Sequence, residues 1–531
     1  LRHHIRASAS QFYELFQKSE KRINQLIVNM DHSQQDHGDD AMTMETETAQ
    51  FPSAAAPANN NDDDDESVFD EAPEFIDMNE AVEVEVDDND VPMDDDDDDD
   101  DTEVIGGTAD EHDMLDSAAD QTLREPVVDM SKVKIEAHSD AVYTVACHLE
   151  NGKLMVISGG GDDKAYMHQI ASSTTGSTTT PSSQVLSYNH TDTVSCVAFN
   201  LDFVSDDAKK TPRLAAVGSY DGSILLYDPD TAEQKLKLEG PSDVEWLSFH
   251  PKGGSVLLAG SGDGTVWMFH IPLNRCLQVF VGHEQAVTAG CFSPDGKWAL
   301  SASTDGTLRI WAPKTGMNKH VFRTGEAGLT CISNNGGSDG MLVIAGAEDG
   351  QAHICHIGTK KIVASLRHYE VPPTPPSASD DDEEEVEMEY PMSVEAVGFF
   401  PAQANWCATA GVDGKLKIWD LANDGQCRQV CVPPQQGQEE GSDGITRLRW
   451  HPTLPLVFTT TISGKIRLWD ARNGMLLTTL TGHTDVINDA DIQFLENGTA
   501  VFVSAGDDKM IRVYEVDPNA LLAQQAAGVS S

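Results

Sequence analysis

The sequence has little positive charge, and one long stretch has none. Lysine and arginine number 35 against 88 aspartates and glutamates, which gives a formal net charge of −53. No Lys or Arg occurs between Arg22 and Arg124, where 35 acidic residues fall. Such a charge repels nucleic acid, whose phosphates are bound through Lys and Arg, and it attracts basic proteins and speeds their encounter. We therefore expect a basic protein partner and no direct binding of nucleic acid.

Paired cysteines and long apolar runs are also missing. The nine cysteines are scattered and form no CxxC pair, so we expect neither a disulfide framework nor a zinc site, and a reducing compartment is indicated. No apolar run reaches 18 residues, which predicts no membrane span, and the first 17 residues lack the apolar core of a signal peptide. We expect a cytoplasmic monomer, with the nucleus as a further location, and no cofactor or metal.

The N-terminal quarter differs in composition from the rest. Residues 1–29 precede the acidic stretch, and they are either a gene-model artefact upstream of the true start or a short basic segment that forms an amphipathic helix. Residues 30–126 are predicted to be a disordered acidic tail, because they cannot bury enough apolar surface to offset the chain entropy. In ESVFDEAPEFIDM, residues 66–78, Phe69 and Phe75 interrupt the acids. This segment is either a short docking segment or random coil.

From residue 127 onward a turn motif recurs between short β-rich runs. Eight segments align on one turn position, 42 to 64 residues apart, and two loops that we predict to be mobile, 172–184 and 371–391, lengthen two of the intervals. The turn residues are Asp162, Asp221, Asp263, Asp305, Asp349, Asp413, Ser463 and Asp508. A basic period in the low forties, with Gly-His upstream and Trp-Asp downstream, resembles the WD40 repeat, in which each unit builds a four-stranded propeller blade.

The repeat count predicts the fold class. Eight units predict an all-β, eight-bladed WD40 β-propeller over residues 127–516, followed by a C-terminal tail at 517–531. The last unit lacks an outer strand of its own. We expect residues 127–138 to supply that strand and to close the ring, so that no blade has an unpaired edge.

One unit contains the residue types of a hydrolase site, and the resemblance explains them differently. His283, Ser301 and Asp305 suggest a catalytic triad, and Trp311 follows. In the WD40 repeat these four positions form a structural hydrogen-bond tetrad, and partial copies recur in the first and last units. Catalytic sites are not usually repeated around a ring. We interpret the four residues as structural and predict no enzymatic activity and no catalytic residue.

The partner-binding surface is predicted from positions that look out on one face of a WD40 ring. These are the residues that flank the Val or Ile of each inner strand, and the residue before the turn Asp. They include acids and tyrosines but no Lys or Arg. The alternative is that the negative charge of the whole ring would place acids on either face. The predicted partner-binding residues are Asp243, Glu245, Glu348, Glu395, Asp507, Tyr143 and Tyr220. Acids with aromatic platforms suit an Arg-rich peptide.

A narrower resemblance follows from the first and third units. GGGDDKAYMH, the run DVEWLSFHPKGGSVLLAGSGDGTVWMFHIP (243–272) and the acidic tail before eight WD units resemble the angio-associated migratory cell protein family. Fungal relatives in that family are dedicated chaperones. They hold the basic N-terminal segment of a newly made large-subunit ribosomal protein, of the universal L-sixteen type, and escort it toward pre-ribosomes. The resemblance implies the same function here; the alternative is a scaffold or adaptor in signalling or ubiquitin-ligase substrate recognition.

Overall fold

Each repeat unit folds into one four-stranded antiparallel sheet. The computed structural model describes residues 127–150, 152–171, 182–186, 190–200, 213–253, 255–335, 341–369, 393–423, 425–434 and 443–528. Eight sheets are present in this part of the chain, and their innermost strands contact one another in turn around a closed ring. The prediction of an all-β eight-bladed propeller is confirmed. The predictions for residues 1–29, 30–126 and 371–391 fall on residues outside the described part.

The strands are numbered in chain order, and those of each blade run from the inner to the outer edge. Blades 1 to 4 consist of β2 (Val142–Glu150), β3 (Lys153–Gly160), β4 (Ala165–Ala171) and β5 (Ser182–Val185); β6 (Val194–Phe199), β7 (Ala215–Ser219), β8 (Ile224–Tyr227) and β9 (Gln234–Leu238); β10 (Val244–Phe249), β11 (Val256–Ser261), β12 (Thr265–His270) and β13 (Arg275–Val281); β14 (Ala289–Phe292), β15 (Ala299–Ala302), β16 (Thr307–Trp311) and β17 (Asn318–Arg323). Blades 5 to 8 consist of β18 (Leu329–Asn334), β19 (Leu342–Ala347), β20 (Gln351–His356) and β21 (Lys361–Arg367); β22 (Val394–Phe399), β23 (Trp406–Gly411), β24 (Leu416–Asp420) and β25 (Gln426–Cys431); β26 (Ile445–Trp450), β27 (Leu456–Thr461), β28 (Ile466–Asp470) and β29 (Met475–Leu480); β30 (Ile487–Phe494), β31 (Ala500–Gly506), β32 (Ile511–Val516) and β1 (Val133–Ile135).

The eighth blade is completed by the N-terminal strand. β1 pairs antiparallel with β32, and Ile135 lies opposite Ile511. An ion pair beside the strand joins Lys132 Nζ to Glu515 Oε1 at 2.5 Å. The prediction that residues 127–138 supply the missing outer strand is confirmed.

The hydrophobic core lies between the blades rather than inside any one of them. The second strand of each blade pairs with a strand on either side, and both faces of its sheet pack against a neighbouring blade. β23 and β27, for example, are buried along their whole length. In one cluster Trp406 and Trp469, of blades 6 and 7, pack around the same apolar side chains. Each blade is therefore stabilised mainly by its two neighbours, which makes ring closure important for the whole fold.

Two segments differ from the sequence predictions. β5 begins at Ser182, inside the 172–184 stretch predicted to be a mobile loop, because these residues complete blade 1 as its outer strand. The predicted C-terminal tail contains a helix, α1 (Pro518–Gly528). An Asp517 carboxylate oxygen accepts the Asn519 backbone N–H at 3.0 Å and so caps the helix, while Leu521 packs against the blade 7 and 8 core. No helix in the described residues is long and apolar enough to cross a membrane.

Candidate functional site

The four residues that resemble a hydrolase site form a continuous chain of hydrogen bonds inside blade 4. His283 Nδ1 lies 2.9 Å from Asp305 Oδ2, His283 Nε2 lies 2.7 Å from Ser301 Oγ, and the Trp311 indole donates to Ser301 Oγ at 2.8 Å. Hydrogen bonds, mainly from His283 and Thr307, hold the pKa of Asp305 well below its usual value against the opposing effect of burial. The Ser301 hydroxyl is fully buried and already bonded on both sides, so it cannot meet a substrate. This arrangement ties the turn to the strand.

Blade 6 has a complete tetrad that sequence reasoning missed. His368 bridges Thr409 at 2.7 Å and Asp413 at 3.1 Å, and the Trp419 indole donates to Thr409 at 2.8 Å. The long insertion 371–391 separates His368 from its repeat unit, so the upstream histidine lies far from its expected spacing. The Thr409 hydroxyl in the serine position is the signal that could have identified it.

Blade 7 has Ser463 where the other blades have a turn aspartate, and Asp443 supplies the missing carboxylate. Ser463 Oγ donates to Asp443 Oδ2 at 2.8 Å, and Arg467 Nη2 lies 2.5 Å from the same oxygen. The substitution at the turn is therefore compensated from the preceding loop.

The two faces of the ring differ in the loops that they expose. Neighbouring strands in a blade are antiparallel. The turn between the second and third strands, which we call the middle turn, therefore lies on the same face as the connection to the next blade, and we call this the upper face. The turns that join the inner pair and the outer pair of strands lie on the opposite, lower face. All seven predicted partner-binding residues belong to middle turns or to the upper ends of inner strands.

A β-bulge sits at the upper end of seven of the eight inner strands, one residue after a buried aliphatic residue. A bulge places one extra residue in the strand and changes the direction of its side chain. In five blades the side chain at this position donates a hydrogen bond to the carbonyl of the matching aliphatic residue in the next blade. These donors are Ser195 to Val244, Thr288 to Leu329 (2.6 Å), Thr330 to Val394, Thr446 to Ile487 (2.6 Å) and Asn488 to Val142 (3.1 Å). Thr288 occupies the matching position just before β14. We call this repeated contact the inter-blade clasp.

Three blades lack the inter-blade clasp, and all three have a predicted partner-binding residue at that position. Tyr143, Glu245 and Glu395 stand where the other blades have Ser, Thr or Asn. Among the described residues, none of these three side chains donates a hydrogen bond to the matching carbonyl of the next blade. In blade 3 the neighbouring Trp246 indole donates to the carbonyl of the matching residue Val287 at 3.0 Å instead. The three positions present two acids and an exposed phenol at the mouth of the ring.

The structure brings Tyr220, Asp243 and Glu245 together. The Tyr220 hydroxyl donates to Glu245 Oε2 at 3.4 Å. A Cβ added to Gly262 would lie 3.0 Å from Asp243 Oδ2 and 3.4 Å from Glu245 Oε1, so both carboxylates lean over the same glycine. Burial and the neighbouring charge of Asp243 raise the pKa of Glu245 to about 7, against the lowering effect of the Tyr220 hydrogen bond. The carboxylates of Asp243 and Glu245 therefore lie close together on this part of the upper face.

A second group joins blades 8 and 1. Partial burial, together with the carboxylates of Asp507 and Asp140, raises the pKa of Tyr143. Asp507 Oδ1 accepts the Asn488 amide at 2.7 Å, so its carboxylate is held beside the clasp. Asp140 was not among the predicted residues, and its place in the loop just before the inner strand is the signal that was overlooked.

Glu348 and Glu395 lie on blades 5 and 6, and the structure does not bring them into one group as it does the residues above. Glu348 is exposed, and its carboxylate would lie 3.1 Å from a Cβ at Gly328. Burial, and to a smaller extent the Glu395 charge, raise the pKa of the Cys331 thiol to about 11, while the Arg447 charge lowers it. Among the described residues, no Lys or Arg forms an ion pair with Glu245, Glu348, Glu395 or Asp507.

Arg447 is a basic side chain near the ring mouth that was not predicted from the sequence. It lies two positions after the aliphatic residue Ile445, outside the flanking positions that were considered. Arg447 follows the clasp residue Thr446, and its Nε lies 3.2 Å from Asp489 Oδ1. The other Asp489 oxygen accepts the Val145 backbone N–H at 3.1 Å. The charge of Arg447 is therefore compensated below the face. Within the described residues, no cluster of His, Cys, Asp and Glu could hold a metal ion.

The acids of the upper face can bind cationic side chains. Carboxylates accept charge-assisted, often bidentate, hydrogen bonds from guanidinium groups, and the exposed rings of Tyr143 and Tyr220 can contact a cation through their faces. The arrangement suits a short chain with several positive charges.

Comparison with known proteins supports this fold and identifies relatives. The family described as WD domain, G-beta repeat matches residues 182–228, 232–270, 274–312, 391–420, 430–470 and 474–515. The Saccharomyces cerevisiae protein Sqt1 is similar in structure, with a TM-score of 0.59 and 19% identity over 73% of this chain and 99% of that one. Chaetomium thermophilum Sqt1, solved bound to the N-terminus of the ribosomal protein L10, gives a TM-score of 0.57 and 20% identity over 73% of this chain and all of that one. The human angio-associated migratory cell protein is 33% identical over 386 residues, which cover 72% of this chain and 79% of that protein. The chain therefore belongs to the angio-associated migratory cell protein family of WD40-repeat proteins.

Proposed function

We propose that this protein is a non-enzymatic, dedicated chaperone. It holds the basic N-terminal segment of a newly made large-subunit ribosomal protein, of the universal L-sixteen type, and escorts it to pre-ribosomes from the cytoplasm, with the nucleus as a further location. The observation that carries the proposal is that Tyr143, Glu245 and Glu395 replace the hydrogen-bond donors of the inter-blade clasp. This places at the ring mouth two acids that form no ion pair with a described Lys or Arg. The complex of Chaetomium thermophilum Sqt1 with the N-terminus of ribosomal protein L10 supports it, because that protein shares the fold.

The electrostatics favour an arginine-rich or lysine-rich segment over a neutral one. The carboxylates of Asp243 and Glu245 lie close together and partly out of water, and burial together with the Asp243 charge raises the pKa of Glu245, so that its ionisation is costly. A guanidinium placed between them relieves this repulsion and forms charge-assisted hydrogen bonds. The bound peptide would then be shielded from other polyanions until it is released.

The proposal predicts saturable, strongly salt-dependent binding of a basic ribosomal N-terminal peptide to the full chain. Raising the salt from about 50 to 300 mM should weaken the affinity at least about tenfold, mainly through the association rate, because screening shortens the range of charge interactions. Fluorescence anisotropy with a labelled peptide measures this. A peptide of the same length with every Arg and Lys replaced by Gln is the control and should not bind. Affinity that is unchanged by salt contradicts the chaperone proposal and favours apolar docking by an adaptor.

The affinity should also rise with pH between about 6 and 8. The pKa of Glu245 is about 7, above the ordinary value for a glutamate, so the side chain is largely neutral at pH 6 and largely charged at pH 8. Binding of a cation favours the charged form, so complex formation near pH 7 releases roughly half a proton. Calorimetry in two buffers with different ionisation enthalpies detects that proton.

Two single substitutions separate this effect from other titrations. Glu245→Gln should remove the proton release and flatten the pH dependence. Glu395→Gln should weaken binding but leave the proton release in place. Equal proton release in the wild type and in Glu245→Gln contradicts the assignment to Glu245.

A further inference from the structure

The lower face of blades 3 to 5 has a group of basic side chains that no described acid pairs with. Lys252 lies in the turn between β10 and β11, and Lys314 lies in the turn between β16 and β17. The full group, all exposed and in no ion pair with a described residue, is Lys252, Arg275, Lys314, Lys319, Lys360 and Lys361. We call these six residues the lower basic patch. Such a group is unexpected in a chain whose formal net charge is −53.

Elsewhere on the lower face, basic side chains lie beside acids. Lys235 Nζ lies 3.0 Å from Glu233 Oε2, and Arg472 Nη2 lies 2.7 Å from Asp470 Oδ2. In the described part of blades 3 to 5, the lower turns contain one acid, Asp295. Its carboxylate is bonded within its own turn, where it accepts the Ser293 hydroxyl at 2.6 Å. The positive charge of the lower basic patch is therefore available to a ligand.

The three blades contact one another along this side, so the patch is one surface. A Cβ added to Gly316 would lie 2.2 Å from Gln278 Nε2, which places the outer turn of blade 4 against the outer strand of blade 3. The Asn334 amide donates to the Phe292 carbonyl at 2.9 Å and joins blade 5 to blade 4. A single extended ligand can therefore meet basic residues of all three blades.

Lys360 occupies a backbone position that favours glycine. The turn between the third and fourth strands has one residue of positive φ, and this is Gly316 (φ 68°) in blade 4 and Gly474 (φ 72°) in blade 7. In blade 5 the same position holds Lys360, with φ 56°. A side chain in this left-handed region is less stable than glycine. Lysine here therefore costs stability, and such a cost is typical of functional positions.

Apolar side chains lie among these charges. Leu273, in the turn between β12 and β13, is 50% exposed, and its backbone N–H donates to His270 Nδ1 at 3.1 Å, which fixes the turn. Met317, in the turn between β16 and β17, is 58% exposed, and Val363 on β21 is 59% exposed. The surface thus combines positive charge with apolar contact area.

We propose that the lower basic patch docks a short acidic segment of a partner protein, in which several Asp or Glu residues are interspersed with aliphatic or aromatic side chains. The carboxylates pair with the lysines, and the apolar side chains cover Leu273 and Met317. A nucleic acid is disfavoured, because its phosphates offer nothing to these two residues and its length would extend over a strongly negative molecule. The patch lies on the face opposite the ring mouth, so the acidic partner and the basic partner can bind at the same time.

Fluorescence anisotropy of the full chain at physiological salt tests the docking. The probe is a labelled twelve-residue peptide that contains seven Asp or Glu residues and five Leu or Phe residues. We expect it to bind at least about fivefold more tightly than the same peptide with Ser in place of every Leu and Phe, because apolar burial adds to the charge pairing. If a twelve-nucleotide oligouridylate binds more tightly than the probe, the occupant is a nucleic acid and the proposal is overturned.

Charge-reversal variants locate the site. Lys314→Glu with Lys361→Glu should lower the affinity for the probe at least about tenfold, because it removes two pairs and adds repulsion. The matched change Lys153→Glu with Lys235→Glu alters two exposed lysines on the lower face of blades 1 and 2 and should lower it less than about threefold. Equal affinities in the two double variants overturn the proposal. So does a dimer of the wild type that Lys314→Glu with Lys361→Glu dissociates, because the occupant is then a second copy.

Two further variants separate docking from general charge attraction and from loss of folding. Leu273→Ser with Met317→Ser keeps every charge and should weaken binding of the probe at least about threefold, while binding of the serine peptide stays unchanged. Lys360→Gly should leave the thermal midpoint unchanged or raise it, because glycine adopts positive φ without strain, and should still weaken binding of the probe at least about twofold. If neither variant changes the affinity for the probe, the lower basic patch is not its docking site.

Discussion

Replacement of both Glu245 and Glu395 by lysine should reduce the affinity for a basic ribosomal N-terminal peptide by roughly 30-fold or more. Removing one partner of a desolvated charge pair costs about 2–5 kcal/mol, whereas a pair on the exposed rim contributes less than about 1 kcal/mol. Both carboxylates are partly buried at the ring mouth and have no cationic partner among the described residues. The reversal also adds repulsion, so the effect should exceed that of neutral replacements.

The matched control is the double change Glu284→Lys with Glu326→Lys. Both residues are exposed in connections between blades on the same upper face, so the net charge changes equally while the ring mouth keeps its acids. This control should lower the affinity less than about threefold, through weaker long-range attraction. Circular dichroism and the thermal midpoint confirm that each variant is folded. If both double variants bind the peptide equally well, the upper ring mouth is not the binding site.

The sequence was sufficient to place Glu245 and Glu395 on the upper face, but it did not predict the inter-blade clasp that other residues form at the same position. The repeat period fixes where each inner strand begins, so Glu245 and Glu395 could be placed on the upper face by counting. The bulge that turns their side chains outward depends on the pairing register between two strands, which the period does not specify. Only the structure shows that Ser195 and Thr446 at the same position bond to the next blade, whereas Glu245 and Glu395 make no such hydrogen bond to a described residue.

Other features were hidden for identifiable physical reasons. The blade 6 tetrad was missed because a long insertion displaces His368 from its unit. The strand β5 was missed because its Ser-rich sequence resembles a loop, and its pairing with β4 decides its conformation instead. Helix α1 lies beyond the last repeat, where the repeat pattern gives no information, although Asp517 before a Pro-Asn-Ala-Leu run is a recognisable helix start.

The largest effect on stability is expected from Ile135→Glu in the closing strand. Ile135 is 3% exposed and packs with Val142, Val503 and Val513 in the core between blades 8 and 1. A carboxylate there loses the apolar contacts and brings an unpaired charge into a buried site, which costs several kcal/mol. β1 also has only three residues, so β32 should lose its outer partner and be left as an open edge. The free energy of unfolding should fall by about 4 kcal/mol or more, measured as the urea midpoint of tryptophan fluorescence.

A milder variant and a surface control make the role of closure measurable even if Ile135→Glu does not fold. Ile135→Ala removes apolar volume without adding charge and should cost about 2–5 kcal/mol. Lys134→Gln changes the neighbouring residue on the same strand, whose exposed side chain pairs with Glu136 at 2.8 Å, and should cost less than about 1 kcal/mol. Because the hydrophobic cores lie between blades, opening the junction between blades 8 and 1 should expose the apolar faces of both blades and make the ring unfold cooperatively. The tryptophans of distant blades should therefore report the same midpoint. If Ile135→Ala shifts the midpoint no more than Lys134→Gln does, the N-terminal strand fills the eighth blade without stabilising the ring.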